Sequence, residues 1–343
     1  MSHQGCIFID VGRSKERSQR LRTFTHPTMR MHVLSVLAVS LLLTAPSRSN
    51  VVAPVSGLAA GDIIGRWDLT VQSANGPFPS WLEVERSGNS TLVGRFVGQF
   101  GSARPISRVS FTDGALRFAI PPQWEQGSDD LRVDATLDGD KLTGTLTDPA
   151  GMRSPFTGVR APTLRHAEPA WGKPVALFNG KDLGGWEATG VNQWAVVNGI
   201  LTSAKPGSNL RTEKRFTDFK LHVEFRVPAK GNSGIYLRGR HEVQVEDSKG
   251  MPLNSHHAGG VYGFLVPNED AARAPAEWQT YDITLVGRLV TVVLNGRTVI
   301  ARQEIPGITG GALDSNEGAP GPILIQGDHS PVEYRKVVLT PPR

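Results

Sequence analysis

From about residue 60 onward, apolar and polar residues alternate over short runs that end at glycine, Asp-Gly or Asn-Gly. Successive side chains of an extended strand point to opposite faces, so a period of two predicts half-buried strands. By this pattern Gly65–Val71, Trp81–Glu85, Leu92–Phe96, Leu116–Phe118, Leu131–Leu137 and Lys141–Thr147 are strands. Ser87-Gly88-Asn89, Asp113-Gly114 and Asp138-Gly139-Asp140 are the turns between them. Strands spaced so evenly predict an all-β protein, with a small antiparallel β-barrel or sandwich over residues 60–160. No helical period of more than two turns stands out, and Asn268–Ala276 is the best short helix candidate. Trp124-Glu125-Gln126 reads either as a ligand-touching loop or, favoured because packing is the commoner use of an aromatic, as a surface loop around one packed tryptophan.

A Pro/Ala-rich stretch, residues 161–170, reads as a linker to a second block at 171–343. That block carries Asn198-Gly199 and Asn295-Gly296 between alternating runs, the strongest short-range hairpin pattern. Parity then assigns faces. Leu221, Val223, Phe225 and Val227 oppose His222, Glu224 and Arg226. Ile235 and Leu237 oppose Tyr236 and Arg238, while Val243 and Val245 oppose Glu242, Gln244 and Glu246. Ile323 and Ile325 oppose Leu324 and Gln326, and Gly327-Asp328-His329 leads away. Two packed sheets with an apolar interlayer follow. The carboxylates, arginine, glutamines and tyrosine left outside suit a hydroxyl-rich ligand. The same residues also make cross-strand pairs, worth about 0.2–1 kcal/mol each on an exposed sheet, so parity leaves both readings open.

Residues 1–50 differ from the rest. Met29-Arg30-Met31-His32 is a short basic segment, Val33–Leu43 is almost wholly apolar, and Thr44-Ala45-Pro46-Ser47 offers small residues for cleavage. This is the pattern of a signal peptide, with Met29 or Met31 as the expected start and a periplasmic or extracellular destination. The apolar run falls short of the roughly 20 residues of a membrane-spanning helix, so no stable membrane insertion is expected after cleavage. The formal charge of +5 also belongs to this leader, which holds seven of the 37 Lys/Arg and two of the 32 Asp/Glu. Residues 51–343 keep thirty of each and are neutral. Cys6, the lone cysteine, lies in the leader too. The body offers no charge-driven case for nucleic acid, and no disulfide, Cys-ligated zinc or cysteine nucleophile.

Six stretches of the second block occur in an order that carries a resemblance. They are Leu177–Trp186 (LFNGKDLGGW), Trp194–Leu201 (WAVVNGIL), Phe219–Arg226 (FKLHVEFR), Gly231–Arg238 (GNSGIYLR), His241–Asp247 (HEVQVED) and Ile323–His329 (ILIQGDH). Residues 171–343 thereby resemble the 3-keto-disaccharide hydrolase family, formerly a domain of unknown function. The resemblance implies a concanavalin A-like (glucanase) jelly-roll β-sandwich acting on carbohydrate. Two positions depart from the family pattern: His241 replaces a usual tyrosine beside the implied site, and Gln279 a usual asparagine. The N-terminal block is outside the resemblance.

The implied reaction is cleavage of 3-keto-glycosides. A ketone at C3 acidifies the C2 proton and places the C1 glycosidic oxygen β to the carbanion, so a base can expel the aglycone and water can add to the enone. Such chemistry needs a base, a partner for the enolate oxygen and an acid for the leaving group. Under the resemblance Glu224 or Glu242 is the base, Arg238 steadies the enolate, and His329 protonates the leaving oxygen. Tyr236, Gln244 and Gln326 then bind hydroxyls. Asp247 with Glu242 is a tentative site for a divalent cation, calcium or magnesium, because hard cations take oxygen ligands. No organic cofactor is expected. His256-His257 reads as a loop face, since adjacent extended residues point apart. Gly231-Asn232-Ser233-Gly234 lacks a following Gly-Lys-Ser/Thr and reads as a turn bringing Arg238 and Glu224 to one groove. Asp314–Gly321 reads as a polar rim, and no Gly-x-Ser-x-Gly elbow occurs. The second function class is a non-catalytic, lectin-like carbohydrate-binding protein, because the sandwich serves both uses. Convergence of the named side chains in one groove separates the two.

Overall fold

The computed structural model describes residues 60–343. The leader, with Cys6, Met29 and Met31, lies outside the described residues. Among the described residues the only helix is the single turn Ala60–Ile63, and none is long and apolar enough to cross a membrane. Strand structure carries the rest, in two parts.

Eight antiparallel strands, from Gly65–Ser73 to Arg153–Arg160, each pair with the next, and the last returns to the first. Closure makes this a barrel and leaves no free sheet edge. Burial alternates strictly along Leu131–Asp138, as the sequence pattern requires. Trp67, Phe96, Phe118 and Phe156 fill the interior with aliphatic neighbours. The Asp113-Gly114 turn has φ of 49° and 80°, the left-handed pair that matches the twist of a tight hairpin.

Residues from Val175 to Thr340 form a two-sheet jelly-roll sandwich. One sheet runs, in spatial order, Trp186–Ala188, Leu210–Thr212, Leu324–Ile325, Asn232–Leu237 and His241–Glu246. The larger sheet runs Trp194–Val197, Ile200–Ser203, Val332–Thr340, Phe219–Arg226, Gln279–Val286, Leu289–Leu294 and Arg297–Glu304. The predicted inward residues Leu221, Val223, Phe225, Ile235, Val243, Val245 and Ile323 share one core with Trp194, Tyr281 and Tyr334. Both Asn-Gly pairs form the predicted hairpin turns, with φ of 52° and 78° at Asn198-Gly199. The helix expected over Asn268–Ala276 is absent. Pro275 disfavours helical geometry at the residue before it, Asp270 ties down the amides of Ala272 and Gly250, and Ala276 turns at φ 64°.

Parity placed Tyr236, Glu242 and Gln244 on an outer face, and that face is not open to solvent. Asn232–Leu237 and His241–Glu246 are buried on both sides. The chain from Ile305 to Leu313 crosses them: Thr309 Oγ1 accepts from the Glu242 amide at 3.0 Å, and the Thr309 amide donates to Arg240 O. The barrel packs beyond this loop. Trp81 and Val97 of the barrel bury Ile308, and the Trp81 ring meets Phe264 edge-on at 5.3 Å. The Gly311 amide donates to Gln99 O at 2.8 Å. Gly310 sits where a Cβ would lie 2.3 Å from Gly101 O, so only glycine lets the two backbones touch there.

Charge also joins the two parts. Glu317, fully buried, pairs with Arg288, and Arg240 with Asp314, while barrel Asp68 lies buried near them. The Asp314–Gly321 loop, expected as a polar rim, is partly exposed but sends Glu317 into the interior. Glu317 faces inward, and Asp314 pairs with Arg240 from the surface, because buried Arg240 and Arg288 need counter-charges.

Candidate active site

The covered face of the smaller sheet opens into a cleft of about 130 Å³. A water fills roughly 10–15 Å³ by that measure, so the space is that of about ten waters, close to one sugar ring with its hydroxyls. Tyr236, Glu242 and Gln244 reach it from the paired strands Asn232–Leu237 and His241–Glu246. Gln326, Asp328 and His329 reach it from the segment after Leu324–Ile325, which pairs with the same strand. Asn209, Asn232 and Tyr262 complete the sandwich side, and Phe100 and Gly101 of the barrel close the other. Five of the residues named from sequence thus share one cavity: Tyr236, Glu242, Gln244, Gln326 and His329.

Glu242 is 4% exposed. Burial pushes its carboxyl up to about 8, against the opposing pull of the Tyr236 hydrogen bond. Local geometry fits the protonated form. The Tyr236 hydroxyl lies 3.0 Å from Glu242 Oε2 and 2.9 Å from Gly310 O. It has one proton, and a carbonyl only accepts. Both contacts are made when Tyr236 donates to Gly310 and a protonated Glu242 donates to Tyr236. The amide oxygens of Gln244 and Gln326 are buried without a protein partner, so the cleft holds acceptors ready for hydroxyl donors.

At the mouth His329 Nδ1 lies 2.7 Å from Asp328 Oδ1. That hydrogen bond raises the imidazole above its ordinary value, despite partial burial. For Asp328 burial is the largest influence and opposes ionisation, but the His329 hydrogen bond, the His329 charge and a backbone hydrogen bond together lower the carboxyl. Asp328 fixes the proton on Nδ1 and leaves Nε2 as the reactive nitrogen. Tyr262 and Phe100 present aromatic faces, and burial followed by the Glu242 charge raises the Tyr262 hydroxyl.

Three expected residues lie elsewhere. Glu224 is on the larger sheet, pairing with Arg335, Lys336 and His222. Burial opposes its ionisation, yet the hydrogen bond from Arg335 and then that from His222 hold its carboxyl below the usual range. It is the cross-strand charge pair of an exposed sheet. Arg238 leaves its strand at φ 54° and turns into the buried charge cluster, where one guanidinium nitrogen donates to Gly287 O at 3.0 Å. Burial lowers it to about 10. The Gly231–Gly234 segment therefore does not bring Arg238 and Glu224 to a common groove. Asp247 accepts from the Lys230 amide at 2.9 Å and does not line the cleft. Among the described residues no three His, Cys, Asp or Glu cluster as metal ligands, and of the tentative cation pair only Glu242 lines the cleft. His256 and His257 take different partners, the Tyr262 ring and Pro252 O.

The two departures from the family pattern are also relocated. His241 shares the parity of Val243 and Val245, away from the cleft, and its Nδ1 lies 3.1 Å from Gly307 O. Burial holds it far below its ordinary value, so a neutral ring donates there and accepts from Arg238. Gly307 meets Trp81 of the barrel, which makes His241 part of the support beneath the barrel. Gln279 accepts from Arg273 N and Asn295 Nδ2, and its work is structural. Sequence reasoning missed Phe100, Asp328 and Tyr262. Asp328 adjoined a named histidine and was legible as its orienting partner; Phe100 lies two turns of chain from any motif and had no local mark.

Residues 173–340 match the family model of the 3-keto-alpha-glucoside-1,2-lyase-like domain. No curated protein matches the chain. Among solved structures, one from Parabacteroides distasonis ATCC 8503, provisionally described as a glycosyl hydrolase, is 28% identical over 52% of this chain and 94% of its own, with a TM-score of 0.43. A second from the same organism is 20% identical over 50% and 94%, also with a TM-score of 0.43. SCLam, an endo-beta-1,3(4)-glucanase of family GH16, is 12% identical over 53% and 94%, with a TM-score of 0.35. The matched segment, residues 173–340, carries the sandwich and is similar to that family's domain, and the barrel, which ends at Arg160, lies outside it.

Proposed function

We propose that this protein is an exported carbohydrate-active enzyme that cleaves 3-keto-glycosides by elimination and hydration. The carrying observation is a proton-holding Glu242 and an Asp328–His329 pair lining one sugar-sized cleft. The match of residues 173–340 to the 3-keto-alpha-glucoside-1,2-lyase-like family model supports both the ketone chemistry and action on glycosides.

Burial exchanges the roles that the resemblance implied. Glu242 keeps its proton to about pH 8 and is the acid; His329, oriented and made more basic by Asp328, is the base. Nε2 removes the C2 proton of the 3-keto sugar. The electron pair forms the C1–C2 double bond as the C1–oxygen bond breaks, and Glu242 protonates the departing oxygen. Water then adds its hydroxyl to C1 and a proton to C2 of the enone, restoring the ketone and both side chains. Gln244, Gln326 and Asn209 hold hydroxyls and the C3 oxygen. Each positioned acid or base contributes about 10²–10⁴-fold.

Leaving-group dependence tests the assignment. Glu242→Gln is expected to cut kcat on a 3-keto-disaccharide by about 10²–10³ but on 4-nitrophenyl 3-keto-glucoside by less than about tenfold, because that phenolate departs without a proton. Equal losses on both substrates make Glu242 the base instead. His329→Ala is expected to abolish turnover of both. Failure of the wild type to release aglycone, with added calcium or magnesium as well as with chelator, removes the enzymatic reading in favour of a carbohydrate-binding protein.

A further inference from the structure

We propose that the open mouth of the barrel is the leaving-group subsite of this enzyme and takes an apolar, aromatic aglycone. The inference rests on the glycoside-cleaving reading of the cleft and adds a substrate class to it. A second cavity of about 420 Å³ opens at one end of the barrel. Phe78, Trp124, Leu131, Leu146 and Met152 form its apolar lining, and Asn75, Gln126 and the carboxylates Glu125, paired with Arg104, and Asp148 are among its polar lining. An apolar hollow with a few polar groups is the usual make-up of a small-molecule site, and barrel mouths are a recurrent place for one.

This cavity and the cleft share a wall. Phe100 lines the cleft, Trp124 lines the mouth, and their rings meet edge-on at 5.2 Å. Trp124 Nε1 donates to Phe100 O at 2.9 Å, which joins the two side chains as one partition. The same loop continues through Gly98 and Gln99, which line the mouth, and Gln99 O accepts from the amide of Gly311, which lines the cleft. The cleft has space for about one sugar ring, so the group attached at C1 must lie outside it. The shared wall offers it an apolar surface.

Exposure and rigidity support a ligand rather than incidental apolar surface. Trp124 and Met152 at the mouth are 42% and 54% exposed, and Phe100 on the cleft side of the shared wall is 48% exposed, large apolar side chains left in water. The loop beneath them is fixed. Arg104 pairs with Glu125 at 2.8 Å with both side chains largely buried, and Gln123 accepts from the Ser102 amide while donating to its hydroxyl. A wall held before the ligand arrives loses little ordering entropy on binding.

The test compares aryl and alkyl leaving groups in the full protein. Wild-type kcat/KM is measured on 4-nitrophenyl and methyl 3-keto-glucosides, and binding of 4-nitrophenol alone is measured by calorimetry. Trp124→Ala and, at the exposed rim, Met152→Asp are each expected to lower the aryl-to-methyl ratio of kcat/KM about tenfold and to weaken 4-nitrophenol binding by a similar factor. An unchanged ratio in both variants, or equal losses on both substrates, overturns the subsite. If the wild type turns over neither glucoside, the cleavage reading fails, and retained 4-nitrophenol binding that both variants weaken still places an aryl group in the barrel mouth. Absence of 4-nitrophenol binding to the wild type overturns the barrel mouth whatever the kinetics show.

Discussion

Glu242 shows how one buried carboxyl sets both chemistry and stability. In the unfolded chain it ionises near 4.5, whereas in the fold burial holds the proton to about 8. Between those values the native state binds one more proton than the unfolded state. Stability from this group is therefore complete below about pH 4.5 and declines as pH rises, by about 1.4 kcal/mol per unit, until the native carboxyl also ionises. Glu242→Gln is expected to flatten the decline between about pH 5 and 8 in denaturant titrations at stepped pH; an unaltered slope shows that Glu242 is ionised throughout. Turnover requires neutral His329 and protonated Glu242, so kcat/KM is expected to be bell-shaped, rising as the imidazole loses its proton and falling above about pH 8. Single residues also show where parity stops. Alternation placed Glu242 and Glu224 alike on polar faces, which was correct for each strand. It could not state that one face belongs to the covered sheet and the other to the solvated one, because that depends on strand order. Arg238 escaped parity altogether by leaving its strand in the left-handed region.

At the scale of strands and turns, the legible parts are those specified by neighbours in sequence. The Asn-Gly hairpins and the alternation of Leu131–Asp138 needed only local chemistry. The crossing segment Ile305–Leu313 has no period, yet it roofs the site, because its identity lies in glycines that permit close approach. Two glycines separate local from tertiary roles. Gly199 turns a hairpin at φ 78° with open space around it, and Gly199→Ala is expected to cost about 1 kcal/mol of stability with kcat unaltered. Gly234 lies in an extended strand, but a Cβ there would be 1.9 Å from Glu242 Oε1. Gly234→Ala is expected to cost about 1–3 kcal/mol through overpacking and to lower kcat more than tenfold as the carboxyl is displaced. Thermal unfolding and steady-state kinetics on both variants check the contrast; full activity in Gly234→Ala shows that the carboxyl has room to move.

Across the whole molecule, the barrel and the sandwich share a core and a charge network, so neither completes the site alone. Ile308 is buried between barrel Trp81 and Val97, and barrel Asp68 sits beside the Arg288–Glu317 pair. Burial raises the Glu317 carboxyl against the pull of Arg288; burial, followed by the nearby Glu317, likewise pushes Asp68 up to about 8, so Asp68 destabilises the assembly in the same alkaline direction as Glu242. None of this contact was legible in the sequence, since it joins positions more than two hundred residues apart without a motif at either end. Gly307 is its tightest point: a Cβ there would lie 2.2 Å from the Trp81 indole. With such an interface the two parts are expected to unfold in one calorimetric transition, with van't Hoff and calorimetric enthalpies equal. Gly307→Ala pushes against a fully buried ring that has no free direction, and the barrel must tilt away. That variant is expected to unfold in two transitions and to lose the Phe100 wall, so that KM rises while the cleft acids remain in place. Two transitions already present in the wild type, or one transition and an unaltered KM in the variant, show that the barrel is carried by the enzyme without shaping its site.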